Sequence, residues 1–211
     1  ALFDAMMRRE TYATTGSRIM IRFFGGWRFD EQDVWRSDFA NIGYAKGVPM
    51  GGDLRPSEVS TEGNKHQNSQ KSPSFVFAAL HDPLSGNLDR IQIVKGWVNQ
   101  RGEREEKVYN AVWSGNRPID QDGKLPPVGN TVNIAAATWT NTIGEPELRG
   151  VWHDPDFDPK VPSVYYARVL EIPTPRWTAY DAKRFNIEMP SQDVPMITQE
   201  RAYTSPIWYT P

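Results

Sequence analysis

Turn-forming residues set the tightest limit on this chain: seventeen prolines and sixteen glycines are spread through 211 residues. Proline lacks a backbone donor and fixes φ, and glycine favours turns, so long uninterrupted helices are excluded over most of the length. Eight tryptophans lie among these breaks. Short aromatic strands joined by many turns predict a mainly β chain, an antiparallel β-sandwich-like domain with one or two N-terminal helices. The length is enough for one generous domain or two small ones, and for a real core.

Periodicity places the elements. Leu2, Phe3, Met6 and Met7 fall on one face of a helix over 1–10 that Arg8, Arg9 and Glu10 close. So short a helix is marginal alone and needs something to pack on. Alternation of Ile19, Ile21 and Phe23 predicts a strand ending at Gly25-Gly26. Asp30 to Lys46 reads as a second helix, with Asp30 as N-cap and Gly47 as stop. Residues 55–72 are polar and predict an exposed loop. Strands follow at Ser74–Leu80, Leu88–Asn99, Lys107–Ser114, Thr131–Asn141, Leu148–Trp152 and Ser163–Ile172. The first two, and the last two, are each joined through His-Asp-Pro (His81–Pro83 and His153–Pro155) and read as hairpins built on the same turn chemistry. The tail, Val194 to Pro211, reads as an extended segment lying across the fold.

Charge narrows the function. With 24 basic and 26 acidic residues the net charge is −2. The densest charged run, Arg101 to Lys107, mixes its signs, so no basic face is available for nucleic acid. No apolar run approaches a membrane span. The absence of cysteine rules out disulfides and thiolate chemistry in this chain; it leaves the compartment open, with a periplasmic or secreted location favoured over a cytoplasmic one.

Several motifs in one order carry a family resemblance: TYATTG after an Arg-Arg helix end, GVPMGGDL (Gly47 to Leu54), LDRIQIVKGW (Leu88 to Trp97), WHDPDFDP (Trp152 to Pro159), YYARVLEIPTPRW (Tyr165 to Trp177) and QERAYTSPIWYTP (Gln199 to Pro211). Together they resemble the C-terminal part of a large bacterial family of unknown function. Its full-length members carry an upstream region that looks like the PHP group of metal-dependent hydrolases. The resemblance implies that 1–10 is the last helix of an upstream barrel-like domain and that 11–211 is the β-rich C-terminal domain. It also implies that any divalent metal belongs to the upstream part, because the family's histidine-rich metal motifs are absent here.

Three constellations remain. His81, Asp82, His153 and Asp154 would converge on a cation if the two His-Asp-Pro turns lay side by side; the simpler reading is that each aspartate caps a turn. Asp154, Asp156 and Asp158 alternate as in a calcium loop, but Pro159 and Tyr165 stand where such a loop needs glycine and glutamate. The two prolines of Glu171–Trp177 stiffen a segment that ends in Arg176 and Trp177, which could grip an anionic or sugar ligand, and Arg201, Tyr203 and Trp208 form a second such cluster. The bland alternative pairs Arg168, Arg176 and Arg201 with Glu171 and Glu200 and sends the tryptophans to the core. No complete catalytic set is present. The expected function is therefore that of a C-terminal accessory domain of a PHP-like metal-dependent hydrolase, contributing substrate contacts or stability. A carbohydrate- or surface-binding sandwich, with several aromatics exposed in one row, and a purely structural domain are the alternatives. The oligomeric state is open.

Overall fold

A computed structural model describes residues 1–56, 72–99, 101–188 and 193–211. The polar loop expected at 55–72, with His66, lies outside the described residues except for its ends. Helix α1 (Leu2–Met7) leads to β1 (Tyr12–Thr14) and β2 (Met20–Gly26). Helices α2 (Glu31–Val34) and α3 (Phe39–Lys46) precede the short strands β3 (Gly47–Pro49) and β4 (Asp53–Leu54). The long strands are β5 (Ser74–Leu80), β6 (Leu88–Val98), β7 (Arg104–Trp113), β8 (Glu147–His153) and β9 (Ser163–Glu171). After them come β10 (Thr174–Pro175), α4 (Trp177–Phe185), β11 (Ile197–Thr198), β12 (Arg201–Thr204) and β13 (Ile207–Tyr209).

The fold is mainly β and sandwich-like, as the turn-rich composition predicts. In the larger sheet β7 pairs with β6 and β6 with β9, all antiparallel. The far edge of β9 is shared end to end by β12 and β13, with β1 beyond β12 and β4 parallel to β13. The smaller sheet has the order β3-β2-β5-β8. Strand β9 alternates up to Val169: Tyr165, Ala167 and Val169 are buried in the core while Val164, Tyr166 and Arg168 point outward, and Leu170 and Glu171 at its end are both buried. Strand β5 has no polar face because both of its faces are covered. Phe75 and Phe77 meet Phe23, Ile91, Ile93 and Tyr165 in the main core. Val76, on the other face, joins Phe24, Phe29, Val34 and Phe39 beneath α2 and α3.

Four expectations need correction. Neither expected hairpin forms: β5 and β8 belong to the smaller sheet and β6 and β9 to the larger, so each His-Asp-Pro carries the chain from one sheet to the other. The helix over Asp30–Lys46 is two helices. Val34 and Phe39 both face the sheet, yet on a single helix they would stand about 140° apart. Asp30 does cap the first, accepting from Gln32 N and Asp33 N at 2.9 and 3.2 Å, and Gly47 does end the second. Residues Thr131–Asn141 form turns with one isolated bridge, Asn133 to Thr138, because the alanines there offer little to bury. The tail does not lie across the fold; β12 and β13 are built into the larger sheet.

The GVPMGGDL segment ties the chain's two ends to the sheets. Gly51 donates to Pro206 O at 3.0 Å and Gly52 O accepts from Trp208 N at 3.0 Å. Gly51 has φ +84°, and a Cβ there would come within 2.1 Å of Arg9 O, so only glycine fits. Helix α1 stands apart from this packing. Its large apolar residues stay exposed, at 83 % for Leu2, 68 % for Phe3, 61 % for Met6 and 68 % for Met7. No helix among the described residues is long and apolar enough to cross a membrane.

Candidate functional site

The two His-Asp-Pro corners do not meet. Register in the smaller sheet pairs Leu80 with Glu147 and Ser74 with His153, so His81 and Asp82 lie at one end of it and His153 and Asp154 at the other. A shared cation among these four is therefore ruled out by the antiparallel pairing. Among the described residues no three His, Asp or Glu side chains are grouped to hold a metal. Asp82 instead accepts from Leu84 N at 2.9 Å and Arg18 N at 2.8 Å, and these amides hold its carboxyl below the usual aspartate range.

The six residues singled out at the two Arg-Trp clusters do not form one site. Glu171 is fully buried at the end of β9, where Ser85 Oγ donates to its Oε2 at 2.6 Å. Ser17 Oγ comes close to it without completing a well-angled hydrogen bond, and Oε1 has no partner among the described residues. Burial pushes this carboxyl up, against the pull of the Ser17 and Ser85 hydroxyls and the Gly86 amide. Arg176 and Trp177 start α4, the guanidinium 5.9 Å from the centroid of an exposed indole. Arg201, Tyr203 and Trp208 share the outer face of the larger sheet, because Ala202, Ile207 and Tyr209 between them point into the core. The ion pairs expected as the bland alternative are absent too among the described residues. Arg168 forks onto Gln92 Oε1 at 2.9 and 2.7 Å, and Arg201 reaches Tyr203 Oη at 3.4 Å.

The densest polar constellation lies where the larger sheet outruns the smaller. Strands β6 and β7 span eleven and ten residues against seven in β5 and β8. Phe75, near the start of β5, covers Tyr165 at 4.5 Å between ring centroids. Beyond that contact the inner face of the larger sheet turns polar, with Lys95 opposite both Lys107 and Tyr165. The WHDPDFDP segment folds over it. Asp154 Oδ2 accepts from Lys95 Nζ at 2.6 Å and from Tyr165 Oη at 2.7 Å, while Lys95 also donates to Asp156 O at 2.8 Å. Asp156 takes Lys107 Nζ and, at 2.7 Å, Tyr109 Oη, and these two donors hold its carboxyl below the usual range. Burial and the neighbouring carboxylates keep both tyrosine hydroxyls protonated.

Two cavities open on the described surface, only the first of them at this constellation. One, of about 360 Å³, is lined by Lys95, Trp97, Asn99, Lys107, Asp156 and Asp158. The other, of about 650 Å³, runs between α1, α3 and the outer face of the smaller sheet. Phe24 and Met50 line its floor, and Arg8, Arg22, Arg36 and Arg149 stand around it. Three of these arginines meet carboxylates, Arg8 with Glu10, Arg36 with Asp38 and Arg149 with Glu147. The sequence reading missed both cavities. The signal for the first was Lys95, a charge at an inward position of the alternating run Ile91, Ile93, Lys95, Trp97.

Fold and cavities define an antiparallel β-sandwich module with a buried lysine–aspartate clasp. The family model described as "Protein of unknown function (DUF3604)" matches residues 1–211, and the chain belongs to that family. No curated protein and no solved structure matches it.

Proposed function

We propose that this chain is the C-terminal accessory domain of a PHP-like metal-dependent hydrolase, docking on an upstream barrel domain of the same polypeptide through the face that carries α1. It contributes to substrate binding or to the stability of its partner domain, and the metal is held upstream. The observation that carries this reading is the uncovered helix: all four large apolar residues of α1 are exposed, and none of its residues is buried. A six-residue helix gains too little from its own hydrogen bonds to persist with such a face in water. The adjoining groove, apolar below and rimmed by Arg22 and three ion-paired arginines, supports the same face as the one that meets a neighbour.

Hydrogen exchange tests this. In the protein expressed from its complete reading frame, α1 amides should exchange at least about tenfold more slowly than in the 211-residue chain. Equal exchange in both would contradict the docking. Metal-dependent hydrolysis by the 211-residue chain alone would contradict the division of labour.

A further inference from the structure

The cavity over the ends of β6 and β7 shares no lining residue with the groove beside α1, so the docking reading leaves it unexplained. Both ammoniums are already paired, Lys95 with Asp154 and Lys107 with Asp156, and Asp158 is the one lining carboxylate with no ion pair among the described residues. A simple anion would have to break one of these pairs to enter, and a simple cation would meet both ammoniums. Hydrogen-bonding capacity of both signs is nevertheless left over. An ammonium has three protons: Lys95 directs two of them to Asp154 Oδ2 and Asp156 O and lies 5.4 Å from the Trp97 ring centroid. The more exposed Lys107 directs one to Asp156 Oδ2 and keeps donors to spare. On the accepting side, Asp158 Oδ1 takes Lys160 N at 2.9 Å, and its Oδ2 has no partner among the described residues. Trp97 adds a half-buried indole to the wall.

A ligand that suits this set is electrically neutral, donates and accepts through several hydroxyls, and offers a C–H face to an aromatic ring. We infer that the cavity binds a saccharide through one pyranose unit. Trp97 packs against the ring's C–H face, Asp158 accepts from its hydroxyls, and Lys95 and Lys107 donate to them. A cavity of about 360 Å³ is at the small end of ligand pockets and admits one sugar ring rather than a chain. Lys95 is held in place beforehand by Asp154 and the Asp156 carbonyl, so little side-chain freedom is lost on binding.

Saturation-transfer NMR on the protein expressed from its complete reading frame tests the assignment, with methyl glucoside, methyl galactoside and N-acetylglucosamine as probes and inorganic phosphate as the ionic control. At least one sugar should bind saturably in the millimolar range. Trp97→Ala should weaken it by about tenfold or more with an unchanged circular dichroism spectrum, while Trp208→Ala, on the outer face of the sheet, binds as wild type. Where Trp97→Ala does not fold, Asp158→Asn on the exposed loop should show a comparable loss. The assignment is overturned by no saturable transfer from any of the three sugars up to roughly 100 mM. It is overturned equally by undiminished sugar binding in both folded variants, or by binding of phosphate alone.

Discussion

At His81–Pro83 and again at His153–Pro155 the chain leaves the smaller sheet for the larger, and in each corner the aspartate accepts the amide two residues on, Leu84 N and Asp156 N, both at 2.9 Å. The other carboxylate oxygen is used differently. Asp82 takes one more backbone amide, Arg18 N, so the first corner is fastened by main chain. Asp154 takes the Lys95 ammonium and the Tyr165 hydroxyl, both rising from the opposite sheet. The buried acid Glu171, bonded to Ser85 of the loop that follows the first corner, has hydroxyl neighbours and no cation among its partners in the described residues. One tripeptide thus makes one turn, and what it meets across the interior decides whether it is a local cap or a clasp between sheets.

The comparison can be broken most easily at the second corner. Asp154→Ala leaves the Lys95 ammonium buried without its partner and should cost about 3–5 kcal/mol in urea unfolding. Asp82→Ala, which removes only a cap, should cost about 1 kcal/mol. The Asp82 carboxyl is depressed, so its stabilisation is present above the ordinary aspartate value of 3.8 and fades as pH falls through the lower folded value. Asp82→Asn should accordingly flatten the acid side of a stability–pH curve. Glu171 works in the opposite sense. Its folded pKa is raised, so its contribution is complete below the ordinary glutamate value of 4.5 and is lost as pH rises through the folded value. Glu171→Gln should therefore gain about 0.5–1 kcal/mol at pH 8 and nothing near pH 4, read as a melting-temperature shift of a few degrees at the higher pH only.

The sequence was most legible where one local rule decided the outcome. Alternation in 163–169 and the unbroken apolar run of 75–80 point to strands because period and burial agree there. The His-Asp-Pro turns were recognised as turns, but which strands they joined was not local information. A corner and a hairpin can share the same residues, and only the pairing of β5 with β8 and of β6 with β9 separates them. Helix α4 escaped notice because Arg176 stands at its N-cap without a side-chain cap. The candidate site was less legible still. Glu171 was picked out, but as a ligand group rather than a buried acid. Lys95 was passed over, although a lysine in phase with Ile91 and Ile93 already announces a charge that needs a partner inside.

A double-mutant cycle on Lys95 and Asp154, followed by urea unfolding, measures the clasp itself. If the two sheets are held through this pair, Lys95→Met combined with Asp154→Ala should cost less than the sum of the single changes by at least about 1 kcal/mol. Additivity to within about 0.5 kcal/mol would show that the two side chains do not act on each other, and the clasp would be a contact without consequence.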